Sequence, residues 1–302
     1  MAVYLERSER GQKNPRTASA CPAVFAPLFF CVLHVHQIES LDLPELEPYR
    51  SMRQQVEQWR QQIFVAEGEK VVRRLLESRL TVVSLLLPEK WLKDLEPLLR
   101  ARPEEIHVYL AEKKLLETLI GFSMYQGLLA VGRIPTPATL EGVLKSSARS
   151  LLLTAVDGLT NAVNLGVVVR NGAAFGVQAL LVSETSSSPF LRRAVRSSMG
   201  AIFQMPAVEL TNLAQTLVEL RRRNIRCIAA HPHTDQKMLS EGDFSRDCCI
   251  VFGSEGYGLS PEVLAACNEA VAIPMSPGVD SLNVGSASAV FLYEVNRQRG
   301  KS

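Results

Sequence analysis

The stretch VFGSEGYGLSPEVL, residues 251–264, joins a strand-like apolar run to the start of a helix through a glycine-rich loop. Its glycines stand at 253, 256 and 258, and Ser260-Pro261 suits a helix start, where serine caps and proline fits the first turn. Such a loop at the carboxyl end of a strand is typical of ligand binding in α/β sheets. The spacing G-x-x-G-x-G reverses the dinucleotide fingerprint G-x-G-x-x-G, which raises the question of what this loop holds.

Glu255, in the middle of this loop, narrows the class of ligand. Phosphate-binding loops use backbone N–H groups, often with a lysine, and avoid carboxylates. The chain also lacks the G-x-x-x-x-G-K-[ST] motif of nucleoside triphosphate binding. A nucleoside without phosphate, or a ligand with positive charge, fits better, and S-adenosylmethionine combines an adenosine with a sulfonium cation. The loop alone leaves open the alternative that its glycines only make turns.

The second half of the chain alternates between apolar strand-like runs and helical runs. The strand-like runs cover 151–156, 179–183, 225–230, 249–252 and 270–273. The helical runs cover about 164–174, 189–196, 211–223, 261–267 and 284–298. This alternation predicts an α/β fold with a mostly parallel sheet, covered by helices on both faces. Ligands of such sheets bind beyond the carboxyl ends of the strands, so the loops after 156, 183, 230, 252 and 273 are the informative ones.

The first half predicts a smaller α/β domain, with a strand that leads into an amphipathic helix at 63–78 and further strands at 81–87 and 127–133. Pro135-Thr136-Pro137 then favours an extended linker. Near the start, a charged stretch precedes an apolar run that is too short and too interrupted by proline to cross a membrane. The predicted organisation is therefore an extension with little structure at 1–39, a small domain at 40–134, a linker at 135–149 and a larger domain at 150–302.

Two further loops carry polar residues that packing alone does not explain. Asn164 and Arg170 lie in a stretch rich in small and apolar residues, followed by Gly176 as a helix cap. An arginine on such a face is either an ordinary exposed side chain or needs an anion, such as a substrate phosphate, or a subunit interface. Ser281 and Asn283 precede the last helix, where capping is their simplest structural role.

Taken together, the three loops resemble the signature motifs of the SpoU/TrmH family of RNA ribose 2′-O-methyltransferases, within the SPOUT class. The first motif runs from Asn164 to Gly176 and the second from Gly253 to Ser260. The third combines Ile273-Pro274-Met275 with Ser281-Leu282-Asn283-Val284, in the expected order and spacing. Residues 63–133 resemble the family's substrate-binding domain, which is similar to ribosomal protein L30e.

This resemblance implies a trefoil knot in the larger domain and a homodimer with the active site at the subunit interface. It implies S-adenosylmethionine as the cofactor and ribosomal or transfer RNA as the substrate, with the L30e-like domain favouring ribosomal RNA. The implied cofactor contacts are Gly253, Gly258, Ile273, Met275 and Leu282. The implied catalytic set is Asn164, Arg170, Glu255, Ser281 and Asn283. Gly285 departs from the pattern, because many relatives carry Ser or Ala there.

The charge and the cysteine content bear on where RNA would bind and on the compartment of the protein. A net charge of +2 gives no global field that would attract nucleic acid, so RNA contact would rest on local clusters such as Arg192, Arg193 and Arg196. The six cysteines show no C-x-x-C pair or zinc-like spacing, which predicts reduced thiols and a cytoplasmic protein. His231-Pro232-His233 with Asp235 is too weak a pattern to predict a metal site.

Two alternatives differ in class. A non-catalytic RNA-binding relative would keep the fold without the chemistry, but all five polar motif residues are present. A doubly wound nucleotide-dependent enzyme, such as a dehydrogenase, would carry G-x-G-x-x-G after its first strand, and the loop after Val156 lacks that motif. Methyl-donor binding distinguishes both alternatives from the methyltransferase hypothesis.

Overall fold

A computed structural model of the chain describes residues 32–120, 127–147, 150–232 and 237–300. They form two α/β units, each built on one sheet. The first unit contains, in chain order, β1 (Leu33–Gln37), α1 (Glu47–Arg50), α2 (Gln55–Arg60), β2 (Ile63–Glu67), α3 (Glu69–Glu77), β3 (Val82–Leu87), α4 (Lys90–Arg100), β4 (Ile106–Leu110), α5 (Lys113–Ile120) and β5 (Leu129–Arg133).

The second unit begins with a helix that precedes its sheet. Its elements are α6 (Leu140–Ser146), β6 (Leu152–Val156), α7 (Ala162–Ala174), β7 (Ala179–Val182), α8 (Arg192–Ser197), β8 (Ala207–Glu209), α9 (Leu213–Arg222), β9 (Arg226–Ala230), β10 (Cys248–Phe252), α10 (Pro261–Ala266), β11 (Glu269–Val271) and α11 (Val284–Gln298). Short 3₁₀ turns lie at Pro44–Leu46, Ala201–Gln204 and Leu239–Glu241.

The first sheet has the strand order β1-β4-β3-β5-β2. Strands β1, β4 and β3 run parallel, whereas β5 runs antiparallel to both of its neighbours, β3 and β2. Every residue of β2 is buried, because helices cover both faces of the sheet at this strand. Helix α3 buries Val71, Val72, Leu75 and Leu76, the spacing of one helical face.

The first unit begins earlier than the sequence predicted. Residues 33–37 fall in the predicted unstructured extension, but they form strand β1 and pair along their whole length with β4. The prediction was wrong for this segment because β1 is an edge strand with three exposed residues, so its apolar pattern is weak. Strand β4 was not predicted either. Residues 1–31 of the predicted extension lie outside the described residues.

The second sheet has the order β11-β9-β10-β6-β7-β8, and all its neighbouring strands run parallel. This confirms the predicted α/β class and the mostly parallel sheet. Strand β10 is buried along its whole length and lies between β9 and β6, as its continuous apolar sequence CCIVF requires. The short edge strand β8 was not predicted, because three residues carry no readable periodicity.

The predicted linker, 135–149, also needs correction, because it contains helix α6. Thr139 caps this helix by accepting a hydrogen bond from the N–H of Gly142 at 3.1 Å. Val143 is buried among side chains of the second sheet, including Leu151 and Leu153. The prolines before Thr139 therefore precede a helix that belongs to the second unit.

Aromatic packing joins the two units. Phe64 of β2 is fully buried, and its ring lies 5.5 Å from that of Phe190 and 5.3 Å from that of Phe203, both in the second unit. The Glu67 carboxylate pairs with Arg192 and, at 2.9 Å, with Arg196 of α8. The units share one hydrophobic core across this boundary, so the first unit is held in a defined place beside the second sheet.

The four cysteines in the described part of the chain are buried and free, as predicted. Burial raises the pKa of Cys227 and of Cys267 to about 12, and the pKa of Cys248 to about 11, so these thiols stay protonated at neutral pH. None of the helices in the described ranges has the length and apolar character that crossing a bilayer requires.

We expect Phe64→Ala to lower the free energy of unfolding by about 3–5 kcal/mol, because the change opens a cavity beneath two rings of the other unit. Urea unfolding followed by circular dichroism measures this loss. Val56→Ala serves as the control, since an exposed side chain should change stability by no more than about 0.5 kcal/mol. Equal stability of the two variants would show that the shared core does not hold the units together.

Candidate active site

A cleft of about 370 Å³ opens beyond the carboxyl ends of three adjacent strands, β11, β9 and β10. This is the position at which parallel sheets of α/β proteins bind ligands. The loops after these strands form its walls, and Val284, Ala287 and Phe291 of α11 contribute apolar surface. The cleft therefore combines apolar side chains of α11 with backbone and polar groups of three loops.

The glycine loop after β10 folds back on itself. The N–H of Ser254 donates to the carbonyl of Gly258 at 2.9 Å, and the N–H of Gly258 donates to the carbonyl of Ser254 at 3.0 Å. A Cβ atom at Gly253 would overlap the backbone of Gly258, and Gly258 itself has a φ of +68°. Both glycines are therefore needed for the shape of the loop, which answers part of the question that its sequence raised.

A hydrogen-bonded group of Asn164, Glu255 and Asn283 joins the three predicted motifs. The Oε1 atom of Glu255 accepts hydrogen bonds from the Nδ2 atoms of Asn164 and, at 2.5 Å, of Asn283. The Nδ2 atom of Asn283 also lies 3.3 Å from Oδ1 of Asn164. Two carboxamides therefore hold one carboxylate at the rim of the cleft, where it can face a cation or accept a proton.

Local helix caps position these side chains. Asn161 caps α7 by accepting from the N–H groups of Val163 and Asn164, which fixes Asn164 in the first helical turn. Asn283 caps α11 through a hydrogen bond from the N–H of Gly285 at 2.8 Å. The functional side chains are thus held at the starts of two helices.

Close helix packing explains the glycine at 285. A Cβ atom there would lie 2.6 Å from Cγ1 of Val167 on α7. The Nδ2 atom of Asn171, also on α7, donates to the carbonyl of Gly285 at 2.7 Å and to Oγ of Ser288 at 2.9 Å. Gly285 therefore departs from the family pattern at a point where this chain brings α7 and α11 into direct contact.

The five residues predicted to contact a cofactor, Gly253, Gly258, Ile273, Met275 and Leu282, all line the cleft. Of the predicted catalytic set, Glu255 and Ser281 line it as well, while Asn164 and Asn283 border it through Glu255. Arg170 does not line the cleft. Its side chain is exposed on α7, and it makes no ion pair or hydrogen bond with any other residue in the described ranges.

The structure revises one group of predicted RNA contacts. Arg192 is largely enclosed at the boundary between the units, where it pairs with Glu67, so its guanidinium is not a free phosphate ligand. Arg196 pairs with the same carboxylate but remains 59% exposed, and Arg193 on the same helix is exposed. The cluster of arginines in the sequence could not reveal that the buried Glu67 of the first unit neutralises part of their charge.

Residues after β9 were not among those predicted for the site from the sequence. Ala230, His231 and Pro232 line the cleft, as does Asp280. Loops beyond the ends of parallel strands bind ligands, so the sequence did indicate this loop. It did not indicate which residues of the loop face the cleft. His233 and Asp235, the rest of the weak metal pattern, lie outside the described residues. Elsewhere, the described residues contain no cluster of three His, Cys, Asp or Glu side chains that could hold a metal ion.

An all-parallel α/β unit with a folded glycine loop beside a cleft defines a class of α/β proteins that bind ligands at the carboxyl ends of their strands, and comparisons with known proteins narrow the class. The model of the SpoU rRNA Methylase family matches residues 152–293. An uncharacterized tRNA/rRNA methyltransferase of Mycobacterium tuberculosis is 33% identical over 239 residues, which cover 78% of this chain and 81% of that protein. The 23S rRNA (guanosine-2′-O-)-methyltransferase RlmB of Acinetobacter baylyi is 35% identical, over 66% of this chain and 82% of that protein.

Solved structures agree with these relatives. The SpoU methyltransferase AviRb from Streptomyces viridochromogenes, in complex with the cofactor AdoMet, superposes with a TM-score of 0.74 at 25% identity, over 86% of this chain and 99% of that chain. A putative RNA methyltransferase of the TrmH family from Porphyromonas gingivalis gives a TM-score of 0.69 at 28% identity, over 85% of this chain and 97% of that chain. The chain therefore belongs to the SpoU rRNA methylase family.

We expect Gly253→Ala to weaken binding of S-adenosylmethionine by at least an order of magnitude, because a Cβ atom would force the glycine loop apart. Calorimetric titration with S-adenosylmethionine measures the loss. The matched control is Gly256→Ala in the same loop, where an added Cβ meets no atom within 4 Å. If both variants bind the methyl donor like the wild type, the loop does not form the binding site.

Proposed function

We propose that this protein transfers the methyl group of S-adenosylmethionine to a ribose 2′-hydroxyl of ribosomal or transfer RNA. As a member of the SpoU family, the chain is an S-adenosylmethionine-dependent RNA methyltransferase. The observation that carries the proposal is the meeting of Asn164, Glu255 and Asn283 at the rim of the cleft. A residue from each of the three motifs contributes to this one polar group.

The cleft suits the proposed cofactor in its mixture of apolar and polar surface and in its charge. Apolar side chains of α11 provide surface for a nucleoside, and the glycine loop provides backbone groups. The lining residues that the structure describes include the carboxyl groups of Glu255 and Asp280 but no lysine or arginine. This charge fits a sulfonium cation and disfavours a phosphate-bearing dinucleotide. S-adenosylmethionine supplies an electrophilic methyl group when it is bound.

In the proposed reaction the 2′-oxygen of the ribose forms a bond to the methyl carbon, the carbon–sulfur bond breaks, and the hydroxyl proton is released. Such an in-line displacement depends strongly on the positions of the reacting groups. Arginine stays protonated at neutral pH unless its pKa is greatly lowered, so a role as general base demands an unusual environment. Arg170 is exposed to solvent on α7, which favours orientation of the RNA phosphate and stabilisation of developing negative charge.

The position of Arg170 also supports a homodimeric active site. Arg170 pairs with no residue in the described ranges and lies outside the cofactor cleft, so a second copy of the chain could bring it to the RNA bound at the partner's cleft. Exposed apolar side chains on the helices that carry the motifs, Val163 of α7 with Val290 and Tyr293 of α11, form a surface that a second copy would cover. The family's trefoil knot belongs to the same proposal, since two loops distant in sequence converge at the cleft.

The remaining parts of the proposal concern the substrate and its location. The first unit would act as the L30e-like domain that holds RNA away from the methylated nucleotide. Its defined attachment to the second unit, through Phe64 and Glu67, suits that role because the distance between the two binding regions stays constant. Free buried thiols in the described part of the chain fit a reducing compartment, and we place the protein in the cytoplasm.

Arg170→Ala is expected to retain S-adenosylmethionine binding and to lower the rate of RNA methylation by a hundredfold or more, on the order of magnitude known for loss of one preorganised charge. The assay supplies a donor with a labelled methyl group together with ribosomal and transfer RNA. Methylated ribose is identified by the resistance of the adjacent phosphodiester to alkaline cleavage.

Arg170→Lys should not restore the rate, because an ammonium lacks the planar fork of a guanidinium. Arg222→Ala is the control, an exposed arginine on α9 that should leave the rate unchanged. Near wild-type methylation by Arg170→Ala would remove Arg170 from the mechanism. Absence of methyl transfer by the wild-type protein to either RNA would contradict the proposed function itself.

RNA affinity should fall steeply with salt, because phosphate contacts release counterions. Arg193→Ala is expected to reduce the slope of log affinity against log salt by about one, the effect of one lost phosphate contact. Filter binding at several salt concentrations gives this slope. Arg192→Ala should leave the slope unchanged and lower stability instead, since Arg192 is engaged with Glu67. An unchanged slope for Arg193→Ala would exclude that residue from the RNA surface.

A further inference from the structure

A second cleft, of about 600 Å³, lies between the two units and shares no lining residue with the cofactor cleft. One wall is helix α2 of the first unit, which presents Val56 and Trp59. The opposite wall includes Ser183, Glu184 and residues 186–188 after β7, with Glu209 and Leu210 at the end of β8. The second cleft therefore lies at the same carboxyl edge of the parallel sheet as the cofactor cleft.

The α2 wall exposes an unusual amount of apolar surface. Val56 is 68% exposed and Trp59 is 59% exposed, and neither belongs to a core cluster of the described residues. An exposed tryptophan in a cleft is a flat aromatic surface on which another ring can stack. Arg60, at the rim, keeps a side chain that is 74% exposed and could reach a phosphate outside the cleft.

The opposite wall is largely polar, and hydrogen bonds fix it to its neighbours. Ser183, Ser186, Ser187 and Ser188 line it together with the carboxylates of Glu184 and Glu209. Hydrogen bonds hold this serine segment to the loop after β6, for example from the N–H of Ser187 to the carbonyl of Leu159 at 3.0 Å. Hydroxyls and carboxylates present acceptors and donors that can match the edge of a base. Two carboxylates in the wall also disfavour a phosphate inside the cleft.

The serine segment is connected to the catalytic group. Oγ of Ser187 donates to the carbonyl of Thr160 at 2.6 Å, and Thr160 precedes Asn161, the residue that caps α7 and positions Asn164. In the sheet only β6 separates β7 from β10, so the ends of these strands lie roughly 10 Å apart at the usual strand spacing. An RNA strand could therefore place one nucleotide in the second cleft and the ribose of a nearby nucleotide at the mouth of the cofactor cleft.

We propose that the second cleft binds an unpaired base of the RNA substrate, stacked on Trp59, close to the nucleotide that is methylated. This inference rests on the proposed function, because it assumes an RNA substrate. Proteins recognise RNA in single-stranded regions by stacking bases on aromatic side chains and by hydrogen bonds to base edges. The indole, the serine hydroxyls and the carboxylates of this cleft provide both kinds of contact, and the site contributes to the choice of target.

The chain contains two tryptophans, Trp59 and Trp91, which allows a direct test by fluorescence. In the Trp91→Phe variant of the full-length protein, all tryptophan emission comes from Trp59. Single-stranded RNA hexamers, each of one base type, serve as probes, with ribose 5-phosphate as the control. We expect saturable quenching by at least one hexamer and none by ribose 5-phosphate, because stacking requires a base.

The second measurement is the kinetics of RNA methylation by variants that each carry one substitution in the wild-type sequence. Trp59→Ala is expected to raise the KM for RNA on the order of tenfold, within the range measured for loss of one base stack, with kcat and S-adenosylmethionine binding unchanged. Trp59→Phe should recover most of the affinity because it keeps an aromatic ring. Trp91→Phe, the control, should behave like the wild type.

Several results would overturn the inference while the proposed function stands. One is methylation by a Trp59→Ala variant with an unchanged KM, together with no quenching by any hexamer. Quenching by S-adenosylmethionine without RNA would place the cofactor in this cleft instead. A shift of Trp59 emission with protein concentration alone would show that a second copy covers the cleft.

The opposite outcome is also distinguishable. Base-dependent quenching in a protein that never methylates RNA would support base binding in the second cleft and contradict the proposed function.

Discussion

The carboxylate of Glu255, held by the carboxamides of Asn164 and Asn283, is the interaction on which the site depends. It joins the start of α7, the glycine loop after β10 and the start of α11, which lie far apart in sequence. Each of these segments also shapes its surroundings: α7 packs on α11, and the glycine loop closes one side of the cofactor cleft. A change in any one of the three side chains would therefore affect both the arrangement of the catalytic groups and the shape of the cleft. Binding and chemistry are built from the same contacts.

The boundary between the units has a comparable role on a larger scale. Glu67 is almost fully buried and faces two guanidinium groups, so its negative charge is compensated in a poorly hydrated place, and removal of both arginines would leave it without a partner there. The ring of Phe64, on the same strand, packs against Phe190 and Phe203 and joins the two cores. Arg192 therefore serves the assembly of the units, although its charge in the sequence suggests a ligand for RNA. The face that the units present together contains two clefts at one edge of the sheet, which suits an extended polymer better than a small substrate.

Some elements of the fold could be predicted from the sequence because their local pattern of apolar residues is clear, and others could not. Buried parallel strands such as β6 and β10 are continuous apolar runs, so their positions and the class of the sheet were predictable from sequence. Strand β1 is an exposed edge, and α6 follows two prolines, so local pattern was misleading for both. The cofactor-lining residues were predictable because strand ends and glycines mark them. Other features depend on contacts between segments that are distant in sequence, which periodicity does not encode. They are the pairing of Arg192 with Glu67, the hydrogen bond between Glu255 and Asn283, and the cleft beside Trp59.

Strand β1 has a practical consequence for anyone who expresses the protein. Its five residues pair with β4 along the outer side of the first sheet, and the carbonyl of Val32 accepts a further hydrogen bond from Ile106. A shortened clone that starts at the sequence-based domain boundary, residue 40, would remove this strand and leave the hydrogen-bonding groups of β4 facing solvent. An uncovered edge of this kind is a template for pairing with other chains. Poor solubility of such a clone would reflect a missing strand rather than an unstable core.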